Sequence, residues 1–149
     1  MLYPYPRPSR YALKVGRCAT GLGLYAAEPI PKGRFIIEYW GRFVDDAEAE
    51  RVGGRYLFGL GDDRNILGAD RRNLARYANH SCRPNCEAHD VRGRVFIVSV
   101  KPIAAGEAIT YDYGKDYFEG YIKPAGCQCE KCARKRSRRK TTSGRARKH

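Results

Sequence analysis

The sequence predicts a mostly β fold of short strands in small sheets, with one or two short helices. Runs of β-branched and aromatic residues recur between residues 11 and 113 and are separated by Gly, Pro and Asp, which is typical of strands joined by turns. There is no internal repeat and no heptad pattern that would indicate a long helix. Strands are expected at residues 11–15, 22–26, 35–44, 56–60, 65–67, 95–100 and 108–113.

Turn-forming residues lie between these runs, at residues 31–33, 61–63, 90–93 and 105–107. We expect the last two turns to close hairpins. Asp45 is followed three residues later by Glu48, which is the pattern of a helix N-terminus and predicts a helix over residues 45–52. A second short helical segment is expected around residues 73–78.

The composition of the 149 residues, 42% hydrophobic and 30% charged, suits one globular domain and includes no apolar run of membrane-spanning length. No membrane partner is therefore expected. The net charge of +13 is concentrated at the C-terminus, because nine of the 29 Lys and Arg residues lie in residues 134–149, which contain no acidic residue. This segment lacks large apolar side chains and is predicted to be a disordered basic tail. Its role is simple solvation, nucleic-acid binding or nuclear import.

Residues 1–10 contain three prolines and no apolar stretch of the kind that a secretory signal requires. We predict an extended segment and an intracellular location, where the six cysteines stay reduced. Three of them fall within six residues, and a structural zinc ion shared by them needs a fourth ligand. Cys82 is the preferred fourth ligand, with Cys18 and Cys86 as alternatives. The three clustered thiols are Cys127, Cys129 and Cys132.

The segment G-L-G-L-Y-A at residues 21–26 fits the glycine pattern of a dinucleotide-binding loop. Such a loop opens a helix, whereas Pro29 and Pro31 follow almost immediately and exclude a crossover helix of ordinary length. The two glycines therefore favour a close approach of the backbone to a ligand or to another strand.

The densest polar cluster spans residues 73–86 and combines amide, imidazole and thiol groups. A hydrolase would use Ser81 or Cys82 as the nucleophile and His80 or His89 as the base. No nucleophile-elbow motif surrounds Ser81, and adjacent side chains point apart, so this alternative has little support. Further along the chain, the alternation of a strand places Tyr111 and Tyr113 on one face.

Together these motifs resemble the SET-domain protein lysine methyltransferases. Residues 20–26 are similar to the first cofactor loop of that family, and R-Y-A-N-H-S-C-R-P-N-C at residues 76–86 is similar to its R-F-x-N-H-S-C-x-P-N-C signature. Residues 109–114, I-T-Y-D-Y-G, resemble its terminal catalytic strand, and residues 127–132 resemble its post-SET zinc segment. The resemblance implies a SET-domain (β-clip) fold with a C-terminal pseudoknot, in which residues 111–114 pass beneath the loop at residues 79–82.

The resemblance also implies four segments and a set of site residues. The segments are an extended N-terminus (1–10), a SET domain (11–114), a post-SET-like zinc segment (115–133) and the basic tail (134–149). The implied S-adenosylmethionine contacts are Leu22, Gly23, Arg76, Tyr77, Asn79 and His80. The implied catalytic residues are Tyr113, Tyr111 and Tyr56, with Tyr56 as a wall of the lysine channel. The implied zinc ligands are Cys82, Cys127, Cys129 and Cys132.

Three features depart from the family pattern. Gly68 stands where an aspartate is common, and the segment before Asn73 is one residue short, with Arg72 in place of the usual glycine. Cys129 and Cys132 are two residues closer together than is usual in the family.

The chemistry of methyl transfer suits these residues. A sulfonium donor and a neutral amine must be aligned, and a tyrosine-lined channel supplies positioning and ring faces that favour the developing cation. We therefore predict an S-adenosylmethionine-dependent methyltransferase acting on an exposed lysine of a protein. Mono- or dimethylation is expected, because the Tyr111 hydroxyl would hold the amine or a water molecule. The alternative is an inactive SET-like module that binds nucleic acid or chromatin through its tail. A bacterial cytoplasm is slightly preferred to a nucleus.

Overall fold

The computed structural model describes residues 6–19, 21–53 and 56–114, and this part of the chain is mostly β. It contains one α-helix, α1 at Asp46–Val52, and a single 3-10 turn at Leu74–Tyr77. The strands are β1 Leu13–Cys18, β2 Gly21–Ala26, β3 Phe35–Tyr39, β4 Arg42–Val44, β5 Leu57–Gly61, β6 Arg64–Leu67, β7 Asn79–His80, β8 Cys86–Val91, β9 Arg94–Ser99 and β10 Thr110–Tyr111. The predicted fold class is confirmed.

The strands form small sheets rather than one large one. β1 and β2 make an antiparallel hairpin, and two three-stranded antiparallel sheets have the orders β3-β9-β8 and β4-β6-β5. The fourth sheet is a parallel pair between β7 and β10, which lie about thirty residues apart in the chain. This last pairing joins the polar cluster to the end of the described chain.

The helix and one hairpin form as the sequence predicts. The Asp45 carboxylate accepts a hydrogen bond from the Glu48 N–H at 2.8 Å and caps α1. The turn between β8 and β9 is closed by the Asp90 side chain, which accepts from the Gly93 N–H at 2.8 Å. Within the described ranges, no helix has the length and apolar character needed to cross a membrane.

The predicted strand at residues 35–44 is wrong, because it is two strands in different sheets. The break occurs at Gly41, where a Cβ atom would lie 2.0 Å from the carbonyl oxygen of Leu67. The chain turns so that the Trp40 N–H donates to Asn73 Oδ1 at 3.2 Å. Strand β8 was not predicted, since its polar, mostly exposed residues lack the apolar alternation of a half-buried strand.

The expected hairpin at residues 105–107 is also wrong. β9 and β10 do not pair with each other, and the chain on either side of this turn bonds to the first half of the domain instead. Ile103 bridges to Ile30, and Ala108 bridges to Tyr25. The Gly106 N–H donates to the Ala26 carbonyl at 2.7 Å, so the turn secures the chain before β10 against the end of β2.

The core is aliphatic and is shared by all the sheets. The buried apolar side chains include Leu24, Ile30, Ile36, Ile66, Val95, Ile97, Ile103 and Ile109. Glu38 is buried among them and is neutralised by Arg94, whose guanidinium donates to both carboxylate oxygens at 2.7 and 3.0 Å. The Arg7 N–H also donates to Glu38 at 2.7 Å, so the described part of the N-terminal segment is bonded to β3.

Candidate active site

The candidate site forms where β7 and β10 pair in parallel. Thr110 lies opposite Asn79 and Tyr111 lies opposite His80, and the Ser81 N–H donates to the Tyr111 carbonyl at 3.2 Å. The backbone bonds therefore place the amide and imidazole of the polar cluster beside the strand that carries the paired tyrosines.

The Asn85 side chain joins the polar cluster to the segment that leads into β10. Its side-chain amide donates to the Ala108 carbonyl at 2.7 Å and to the Glu107 carboxylate at 3.1 Å. Its side-chain oxygen accepts from the Thr110 N–H at 3.0 Å. The side chain is 9% exposed, so these bonds are largely shielded from water. The sequence predicts no role for Asn85, because a single amide in a loop has no distinguishing pattern.

Asn79 connects the pair to the glycine-rich strand β2. Its side-chain nitrogen donates to the Leu22 carbonyl at 3.1 Å and contacts Cys18 Sγ at 3.2 Å. A Cβ atom at Gly23 would lie 3.2 Å from the same nitrogen. The glycine thus permits close approach, as expected, and residues 21–26 form a strand rather than the start of a helix. The dinucleotide-loop alternative is excluded.

His80 is held as a neutral imidazole. Its Nδ1 accepts the Tyr113 N–H at 3.1 Å, which leaves the proton on Nε2, and that nitrogen lies 3.3 Å from Cys82 Sγ. Burial lowers the pKa of His80, and the Asp112 carboxylate at 3.7 Å opposes this in part. The imidazole therefore adds no positive charge to the site near neutral pH.

The two tyrosines contact each other at a tilted angle, and Tyr113 meets His80 edge-on. The ring centroids of Tyr111 and Tyr113 are 4.9 Å apart, which confirms that they share a face, and the Tyr113 ring lies 5.4 Å from that of His80. Tyr111 is buried and also contacts Phe58 at 6.3 Å. The Tyr113 hydroxyl donates to the Ala78 carbonyl at 2.5 Å.

Tyr56 directly precedes strand β5, which contains Phe58. Its carbonyl accepts from the Tyr39 hydroxyl at 2.5 Å and from the Gly68 N–H at 2.8 Å. The guanidinium carbon of Arg76 lies 4.2 Å from the centroid of the Tyr56 ring and 4.8 Å from that of Tyr77. The Arg76 guanidinium thus contacts both Tyr77 of the polar cluster and Tyr56, which directly precedes β5.

Residues 21–114 match the family model of the SET domain. The chain belongs to the SET-domain family. It is 37% identical over 120 residues to a histone-lysine N-methyltransferase, H3 lysine-4 specific, from Chaetomium globosum, and 35% identical over 125 residues to human histone-lysine N-methyltransferase 2D. These matches cover 72% and 75% of this chain but 11% and 2% of the relatives, so the chain spans a small part of their length.

A solved structure agrees with this assignment. The chain superposes on the Chaetomium thermophilum polycomb repressive complex 2 with a TM-score of 0.66 and 31% sequence identity, over 71% of this chain and 16% of that one. The two relatives named above come from a fungus and from humans, and this eukaryotic origin does not support the preference for a bacterial cytoplasm.

One departure from the SET pattern has a structural reason. A Cβ atom at Gly68 would lie 2.6 Å from both Asn73 Nδ2 and the Tyr39 ring, so no aspartate fits there. Asn73 is fully buried and donates to the Gly68 carbonyl at 3.1 Å. The Tyr39 ring occupies the space and brings its hydroxyl to the Tyr56 carbonyl.

The post-SET part of the prediction lies outside the described residues, including Cys127, Cys129 and Cys132. Within the described ranges, no group of three or more metal-ligating side chains is present. Cys82 Sγ lies 3.3 Å from His80 Nε2, which is in position to donate a hydrogen bond to it. Cys86 is fully buried, and burial raises the pKa of its thiol to about 12.

The described residues contain one of the nucleophile–base contacts that the hydrolase alternative requires. His80 and Cys82 do meet, at 3.3 Å, because they are two residues apart on an extended segment. Ser81 instead accepts from the Arg83 N–H at 3.0 Å, and His89 lies on β8 beside Glu87 at the surface. Membership of the SET family gives no support to the hydrolase alternative.

Proposed function

We propose that this SET domain transfers a methyl group from S-adenosylmethionine to a lysine side chain of a protein, and that its substrate is a histone. The observation that carries the proposal is the parallel pairing of β7 and β10, which brings Asn79 and His80 against Tyr111 and Tyr113. The names of the two relatives, both histone-lysine methyltransferases, support the substrate class.

The residues around β2 and β7 fit the proposed cofactor. Gly23 lets the Asn79 amide approach the β2 backbone closely, since a Cβ atom there would lie 3.2 Å from the amide nitrogen. The Leu22 and Gly23 backbone, Asn79 and His80 would hold S-adenosylmethionine, with Tyr77 and the backbone of Arg76 as further contacts. This cofactor supplies an electrophilic methyl group on a positively charged sulfur. A neutral His80 avoids adding a second positive charge beside that sulfur.

The tyrosines would receive the lysine. The amine must lose its proton before it attacks, and a dry aromatic channel next to a positive sulfur favours the neutral amine. The faces of the Tyr111 and Tyr113 rings stabilise the methylammonium that forms. The Tyr113 hydroxyl, already held by the Ala78 carbonyl, orients the reacting groups rather than acting as a strong base.

The decisive experiment incubates the full chain with labelled S-adenosylmethionine and core histones. We expect label on histone lysine, and loss of at least about a hundred-fold in rate for Tyr113→Phe, which removes a positioning contact. Tyr11→Phe, which changes a tyrosine that packs against the core ahead of β1, is the matched control and should keep the wild-type rate. The inactive-module alternative would be favoured if the chain binds the cofactor without transferring its methyl group. It would also be favoured if the chain shows neither cofactor binding nor methyl transfer.

The number of methyl groups is a separate part of the proposal. Tyr111 is buried against Phe58 and Tyr113, so its hydroxyl lies in a confined space where a third methyl group has little room. We expect mono- and dimethyl-lysine from the wild type and more trimethyl-lysine from Tyr111→Phe, measured by mass spectrometry of the product. Predominant trimethyl-lysine from the wild type would contradict this.

We further propose a structural zinc ion on Cys82, Cys127, Cys129 and Cys132, in a post-SET segment at residues 115–133 that follows a SET domain at 11–114. The hydrogen bond from His80 to Cys82 supports Cys82 as the fourth ligand. The purified full chain should contain one zinc per molecule, and Cys82→Ser should lose it. Cys18→Ser should retain it, and zinc loss in this control alone would transfer the role to Cys18.

We propose that the basic tail holds the enzyme on nucleic acid or chromatin, and that the enzyme acts in a nucleus, where its proposed histone substrate lies. Nine positive residues in 134–149 would make DNA binding fall steeply with salt. Deletion of 134–149 should abolish that salt-dependent binding while leaving methylation of free histone intact. Equal DNA binding after the deletion would contradict the role of the tail.

A further inference from the structure

Tyr56 is held in an unusual backbone conformation. Its φ angle is +62°, a left-handed value that large side chains rarely adopt. Such residues persist where their surroundings hold them, and they concentrate at functional sites. Here the two donors to the Tyr56 carbonyl, the Tyr39 hydroxyl and the Gly68 N–H, fix the backbone from one side.

Arg76 fixes the side chain of the same residue. Its guanidinium lies 4.2 Å from the centroid of the Tyr56 ring, within cation–π distance, and also donates to the Ala69 carbonyl. Its Nε is buried and has no hydrogen-bond partner among the described residues. Among the described residues, the faces of Tyr56 and Tyr77 and one carbonyl hold the guanidinium, and no carboxylate forms an ion pair with it.

We propose that Arg76 is a positioning residue for the substrate lysine, which acts by fixing the Tyr56 ring and does not bind the cofactor with its side chain. This rests on the proposed function, in which Tyr56 is a wall of the lysine channel. It gives Arg76 a role different from the cofactor contact that the family resemblance implies. It also explains why Gly68 matters, since any side chain there would displace the Tyr39 ring from the Tyr56 carbonyl.

The test compares Arg76→Gln with the wild type, and with Tyr56→Ala alone and combined. We expect Arg76→Gln to lower kcat/KM for a histone peptide about ten-fold, the loss of one partly buried cation–π contact. The Kd for S-adenosylmethionine should stay within about two-fold, because the binding groups lie elsewhere. In the Tyr56→Ala background, Arg76→Gln should have no further effect on kcat/KM.

Arg72→Gln is the matched control. Arg72 also contacts an aromatic ring, that of Trp40 at 5.8 Å, but it is 82% exposed and paired with Asp70 at the surface. It should leave both constants unchanged. Arg76→Lys serves where Arg76→Gln does not fold, since it keeps the charge and loses the flat stacking surface.

A readout that needs no turnover separates this inference from the proposed function. The Gly68 amide donates to the Tyr56 carbonyl, so its hydrogen exchange, followed by NMR on the full chain, should become faster in Arg76→Gln. Unchanged exchange at Gly68, a Kd for the cofactor weakened as much as kcat/KM, or additive losses in the double variant would each overturn the role of Arg76. If Gly68 exchanges faster in Arg76→Gln but the wild-type chain methylates no histone, the Arg76–Tyr56 contact is supported and the proposed function is refuted.

Discussion

Replacement of Asn85 by alanine tests whether this one amide holds the site together. The change removes the donor to the Ala108 carbonyl and the acceptor of the Thr110 N–H, and both backbone groups belong to partly buried residues. A buried polar group left without a partner costs about 1–3 kcal/mol, so the two groups together predict a loss of about 2–6 kcal/mol. Domains of this size have a total stability of about 5–15 kcal/mol, so the expected loss is severe.

The loss is measured by urea denaturation followed through the fluorescence of Trp40, the only tryptophan of the chain. Asn65→Ala is the matched control, because Asn65 is half-buried and donates to the Val44 carbonyl at 3.4 Å and to Asp46 at 2.8 Å. We expect a loss below about 1 kcal/mol for this more exposed amide. A free energy of unfolding for Asn85→Ala within about 1 kcal/mol of the wild type would refute the clamp.

Three other changes give further expected outcomes. Gly41→Ala should lower the free energy of unfolding by more than about 2 kcal/mol in urea, because its Cβ atom would lie 2.0 Å from the Leu67 carbonyl oxygen. Burial raises the pKa of Cys86 from 9.0 to about 12, so the folded state keeps a proton that the unfolded state loses. Between pH 8 and pH 10 the wild type should therefore lose about 1 kcal/mol more than Cys86→Ala. Asp45→Ala removes the cap bond to the Glu48 N–H and should cost about 1 kcal/mol, measured by thermal unfolding.

Each of these has a clear opposite result. Wild-type stability in Gly41→Ala would mean that the strand break tolerates a side chain. The same alkaline slope with and without the Cys86 thiol would assign the pH dependence to other groups. Asp45→Asn keeps a capping oxygen and serves as the comparison for Asp45→Ala. Equal losses of stability in the two variants would mean that the cap bond does not stabilise α1.

Local features of the fold were predictable because their causes are local. The cap of α1 needs only Asp45 and the N–H three residues later, and the β8–β9 turn needs only Asp90 and Gly93. The break at Gly41 was not predictable, because its cause is the carbonyl of Leu67 in another strand. Strand β8 was not predicted because most of its residues are exposed and show no apolar alternation. Its backbone pairing with β9 keeps it extended, and that pairing is not visible in its own sequence.

The site divides in the same way. The residue types in the polar cluster and the shared face of Tyr111 and Tyr113 were visible in the sequence. Their meeting was implied only by the family resemblance, since the parallel pairing of β7 with β10 has no local cause. The left-handed conformation of Tyr56 and its contact with Arg76 depend on tertiary packing, so no sequence pattern indicated them.

The late position of β10 has a consequence for synthesis. A ribosome makes the chain from its N-terminus, and every other strand of the described part leaves the exit tunnel before Thr110 and Tyr111 do. A nascent chain up to about residue 105 contains the residues of strands β1 to β9 but lacks β10, the strand that pairs with β7. Under the proposed function, the site therefore cannot form before Thr110 and Tyr111 are made, and chains that terminate before them should be inactive.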